Sequence, residues 1–123
     1  MNLGAKLGME AGEDGAIDLK VEDHRGDVNA ALSAFRKLTS VESDTVVLTS
    51  FTSVTVAVQP LATRQKVLLL NGGGAGDALI GLENLYNSRL LASQIMPGFL
   101  DYESEETGAQ KVATLFWNDV LGK

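Results

Sequence analysis

Two polar turns carry the residues that could do chemistry. Thr49-Ser50-Phe51-Thr52-Ser53 closes the apolar run Val46-Val47-Leu48, and Asn71-Gly72-Gly73-Gly74-Ala75-Gly76-Asp77 closes Val67-Leu68-Leu69-Leu70. Hydroxyls such as Thr52 and Ser53, set at a helix start beside unpaired amides, can cup a carboxylate. The competing reading of Ser53 is a plain N-cap, which any helix favours. The glycines let main chain approach a ligand closely; the competing reading is a flexible strand-to-helix turn. The loop is not G-x-G-x-x-G, because Asp77 takes the place of the last glycine, and it is no P-loop, because no Gly-Lys-Ser/Thr follows. The chemistry on offer is noncovalent capture of a small polar ligand.

Other reactive residue types lead nowhere as strong. His24 is the only histidine, so a Ser-His-Asp triad would have to use it with Ser50 or Ser53. It lies in the charged turn Glu22-Asp23-His24-Arg25-Gly26-Asp27 and reads as a solvated side chain. Glu22, Asp23 and Asp27 offer oxygens to a hard cation, but their spacing matches no calcium loop. The absence of cysteine excludes disulfides, thiol catalysis and thiolate metal sites. No enzyme activity, metal or cofactor is therefore expected. A net charge of -6, with scattered Lys and Arg, argues against a nucleic-acid partner. No run approaches the roughly 18 apolar residues of a membrane span. No charged-then-apolar leader opens the sequence, which reads as cytoplasmic or as written without its signal peptide.

At 123 residues the chain is expected to form one domain, residues 1–123. Leu3, Leu7 and Ala11 predict a short first helix. Ala16 to Val21 alternates apolar and polar and predicts an edge strand. Asp27 is the expected N-cap of an amphipathic helix carrying Val28, Ala31, Leu32, Phe35 and Leu38. Val46 to Leu48 and Val67 to Leu70 read as buried parallel strands, whose carboxyl ends are where open α/β sheets hold ligands. Ser53 to Ala62 is ambiguous. Its β-branched residues favour a strand, while the need to cross back for parallel pairing favours a helix. Asp77 to Leu82 suggests a helical turn, Leu85 to Leu91 a last strand, and Pro97-Gly98 a turn. Ser104 is the expected cap of a final helix that buries Val112, Leu115, Phe116 and Val120 and ends at Gly122. Tyr86, Phe99, Tyr102 and Trp117 are expected to be packed or partly buried. Alternating strands and helices predict an α/β fold: a three-layer αβα open sheet, mostly parallel and flavodoxin-like.

Three segments in this order resemble a known family. Leu19-Lys20-Val21-Glu22-Asp23-His24-Arg25-Gly26-Asp27-Val28-Asn29-Ala30-Ala31 resembles the strand, acidic turn and helix of type I periplasmic binding proteins, in the branched-chain amino-acid receptor branch. Thr52-Ser53 and Val54-Thr55-Val56-Ala57-Val58-Gln59-Pro60-Leu61-Ala62 resemble that family's ligand turn and the helix after it. Lys66 to Ala75 resembles the next strand and loop. The resemblance implies a helix from Ser53 and one lobe of a two-lobe protein that traps a solute by hinge closure. It implies an amino acid or similar solute, an ABC-importer permease as partner and a periplasmic location. Carried over residue by residue, the ligand positions are Thr52, Ser53, Asn71, Gly73, Gly74 and Ala75. Gly74-Ala75 lacks the family's usual Thr hydroxyl, Asn71 replaces a common Ser, and Gly72 a common Pro. The likeness covers the first lobe from its first helix onward, so the family's central first strand has no counterpart. That predicts an incomplete sheet, open to pairing with a second copy, and an alternative role as a remnant interaction module without ligand binding.

Overall fold

The computed structural model describes residues 8, 18–40, 46–113, 115 and 118. Helix α1, Val28–Thr39, begins where Asp27 Oδ1 accepts the Ala30 N–H at 2.7 Å. Arg36 and Lys37 sit in its last turn, where cations complement the exposed carbonyls. Ala31 and Phe35, four residues apart, are buried together as the helical period requires.

Strand β1, Val46–Thr49, follows, then helix α2, Thr52–Gln65, strand β2, Leu68–Asn71, a 3-10 turn at Asp77–Leu79, strand β3, Leu85–Asn87, and helix α3, Ala92–Thr107. The ambiguous stretch is helical. The strands run parallel in the order β1-β2-β3, so a crossover must return the chain from Thr49 to Leu68. That topology overrides the strand propensity of Val54, Thr55, Val56 and Val58. Pro60 lies on the exposed side of α2. Lys66 adopts the left-handed conformation (φ 58°) and stops the helix, its N–H reaching the Thr63 carbonyl at 3.2 Å.

The core lies between one sheet face and two helices. Ala31 and Phe35 of α1 and Val54, Val58 and Ala62 of α2 pack with Val47, Val67 and Leu69, the last fully buried. The opposite face of β1 is open, with Val46 53 % and Leu48 46 % exposed. Among the described residues, α1 and α2 form one covering layer, and α3 buries no residue.

Several expectations fail for local reasons. Of the expected edge strand Ala16 to Val21, residues 18–21 form no strand, and Ala16 and Ile17 lie outside the described residues. Leu85 to Leu91 is strand only to Asn87, where the hydrogen bonds to β2 end. Pro97 and Gly98 lie inside α3 instead of making a turn. The helix expected after Ser104 is displaced. Ser104 is within α3, which ends at Gly108 in the left-handed conformation (φ 67°), a position that glycine adopts without strain. Val112 and Leu115 beyond it are exposed and not helical. Tyr86, Phe99 and Tyr102 are exposed as well. Of the expected first helix only Gly8 is described, and it is helical. Trp117, Phe116 and Val120 lie outside the described residues.

Candidate functional site

Register decides the site. Thr49 stands opposite Asn71, and Asn71 opposite Asn87, so three loops leave the sheet at one edge. The loops after β1 and β2 are tied at once, because the Gly72 N–H donates to the Thr49 carbonyl at 2.9 Å. Gly73 then lies so close to Ser50 that a Cβ there would sit 2.6 Å from the Ser50 carbonyl oxygen. A Cβ on Gly74 would meet Asn71 Oδ1 at 2.9 Å and the Thr52 amide nitrogen at 3.0 Å. The glycines are thus required by space, which a flexible turn would not demand.

The hydroxyls divide into internal and open ones. Thr52, buried, accepts the Gly76 N–H at 3.1 Å through Oγ1. Thr55 Oγ1 lies 2.8 Å from both Thr49 Oγ1 and the Phe51 carbonyl. Ser53 is half-buried, and its hydroxyl bonds to no described residue. It is not an N-cap: Phe51 occupies that position, with no side-chain cap bond. The first-turn amides of α2 therefore stay uncapped beside an available hydroxyl. Ala75, half-buried, spends its carbonyl on the Ala92 N–H at 2.8 Å.

Asn71 sits beneath the rim, 0 % exposed. Its Oδ1 accepts the N–H of Gly74 at 2.7 Å and of Gly73 at 3.3 Å. Its Nδ2 donates to the Gly74 carbonyl at 2.7 Å and to Asn87 Oδ1 at 2.9 Å. Every donor and acceptor of the amide is spent on shaping the loop. The structure thus gathers Thr52, Ser53, Asn71, Gly73, Gly74 and Ala75 on one edge, with Thr52 and Asn71 engaged internally.

Sequence reasoning missed the third loop. Ser88 donates through N–H and Oγ to the Asn71 carbonyl at 3.0 and 2.9 Å. Arg89 Nη1 donates to the Gly73 carbonyl at 3.3 Å. An open groove of about 560 Å³ lies here, lined by Ile80, Gly81, Asn87, Ser88, Arg89, Leu90, Leu91 and Gln94. The signal was available: Leu85-Tyr86 runs into Asn87-Ser88-Arg89, the same apolar-then-polar pattern as the first two strands.

The charged turn stays structural. His24 Nδ1 accepts the Gly26 N–H at 3.0 Å, and its ring meets Phe51 edge-on at 5.8 Å. Asp23 accepts the Arg25 N–H, Asp27 caps α1, and Glu22 pairs with Lys37. Among the described residues no three His, Cys, Asp or Glu side chains cluster to hold a metal. No described helix is long and apolar enough to cross a membrane.

A family model described as periplasmic binding protein matches residues 2–123. No curated protein matches. Among solved structures, the branched-chain amino acid transporter substrate binding protein LivJ from Streptococcus pneumoniae, in complex with isoleucine, is similar at 23 % identity and a TM-score of 0.68. The match covers 85 % of this chain and 31 % of that one, so the chain spans about a third of its length.

Proposed function

The chain belongs to the periplasmic binding protein family, and from that premise we propose that residues 1–123 form the N-terminal, solute-capturing lobe of a type I ABC-importer binding protein. The reading is non-catalytic and extracytoplasmic, with a membrane permease as partner. One observation carries it: the turns after β1 and β2 share one edge, with Gly73 against Ser50 and Gly74 against Thr52. Ser53, the uncapped amides of α2 and the Ala75 main chain face the role of holding a small polar solute such as an amino acid. LivJ, whose structure contains isoleucine, has the same fold and supports the ligand class. A single lobe supplies half of a closed site, so affinity should be weak.

A thermal-shift and calorimetric screen of amino acids at millimolar concentration tests this reading. At least one should raise the melting temperature. Ser53→Ala should weaken its binding about tenfold, as loss of one hydrogen bond to a charged group does, while changing stability by less than about 0.5 kcal/mol. No shift with any solute overturns the reading.

The open face of β1 supports a second reading, in which the lobe serves as an interaction module and pairs with another copy of itself. Light scattering after size exclusion separates the two: a stable monomer that binds solute excludes the module.

A further inference from the structure

Building on the solute-capture reading, we propose that Arg89 makes this site select solutes with a second anionic group, such as an acidic amino acid or a short dicarboxylate. Arg89 leaves the carboxyl end of β3, and its Nη1 reaches across to the Gly73 carbonyl at 3.3 Å. Gly73 is the residue whose other side lies against Ser50. The same glycine loop packs Gly74 against the Thr52 amide, so one backbone loop separates the guanidinium from the amides at the start of α2. Ser88, through its bonds to the Asn71 carbonyl, and Asn71, through the glycine loop, fix the loop on which Arg89 rests.

The guanidinium keeps donors to spare. It has five N–H groups, and the Gly73 carbonyl takes one. Among the described residues no carboxylate pairs with it. Asp77, across the loop, is engaged by the N–H and hydroxyl of Ser93 at 3.1 and 2.9 Å. Asn87, which shares the groove, is spent on Asn71 and the Leu79 carbonyl, while Gln94 accepts the Leu91 N–H through Oε1 and keeps only neutral donors. In this groove of about 560 Å³, Arg89 is the one charged side chain of the lining. A planar fork of donors matches a carboxylate in two-point contact. The solute would lie over the glycine loop, one acidic group toward Ser53 and the other toward Arg89.

Calorimetry of the whole chain with L-glutamate, L-glutamine and L-isoleucine tests this. Glutamate and glutamine share a shape and differ in charge. Glutamate should bind at least about tenfold tighter than glutamine, as a charge-assisted pair implies. Arg89→Gln should erase that difference and leave glutamine within about twofold; because Arg89 is exposed, the variant should melt with the parent. Arg89→Lys should keep part of the preference, having charge without the fork. Equal binding of glutamate and glutamine by the parent, tighter binding of isoleucine, or a preference that survives Arg89→Gln overturns this inference and leaves solute capture standing. Binding of none of the solutes tried in either screen overturns both.

Discussion

Removing the Asn71 amide would strand the buried Gly74 N–H and the half-buried Gly73 N–H, and would leave the buried Gly74 carbonyl without its donor. Each unsatisfied buried donor costs about 1–3 kcal/mol, so Asn71→Ala should lower the unfolding free energy by at least about 2 kcal/mol. It should also blunt solute affinity, since the loop loses the anchor that turns it. Urea melts and calorimetry on the same samples read both effects. Glycines on either side of the 3-10 turn separate two causes of intolerance. Gly73→Ala puts a Cβ 2.6 Å from a carbonyl oxygen, and the backbone must move; overpacking of this kind costs about 1–3 kcal/mol. Gly81→Ala meets open space, but its φ of +70° penalises any side chain, here by about 1 kcal/mol. Denaturant midpoints of the two variants should therefore fall in that order.

Helix α2 fits its residues to the topology and not to their propensity, and its energy comes from the buried face. Leu69→Ala, opposite that face, should cost about 2–5 kcal/mol, as large-to-small core changes do. Lys66→Gly should stabilise by about 0.5–1 kcal/mol, because glycine takes the left-handed conformation freely. Thermal unfolding measures both. These elements also mark what was legible. Asp27 as cap, the 31 and 35 pair, and the two apolar strands with their turns follow from local spacing alone. Ser53 could not be told from an N-cap, because Phe51 takes that place with no local signal for it. Arg89 was invisible as a site residue, because its proximity to Gly73 arises from the β2–β3 register, a nonlocal fact. The last helix was displaced because Pro97-Gly98 reads as a breaker in sequence yet is tolerated within α3, whose apolar residues stay exposed and so mark no core face.

At the scale of the molecule, one sheet face is packed and the other carries Val46 and Leu48 to solvent, while α3 shows Ile95, Met96, Phe99 and Leu100. Contiguous apolar surface promotes association. On the module reading, Val46→Lys with Leu48→Glu should lower the weight-average mass seen by light scattering at high concentration, and on either reading it should leave the melting temperature nearly unchanged, since neither side chain belongs to the core. The parallel ladders carry one more consequence, for synthesis. Val46 finds Leu68 only after the whole of α2 has been made, and Leu69 finds Leu85 only after the 3-10 turn. A nascent chain arrested on the ribosome near Ala62 therefore holds an orphan β1, while one released past Asn71 can close its first ladder. Pairing of such distant segments is slow, and the interval between those two lengths is when a growing chain most needs a chaperone to shield it.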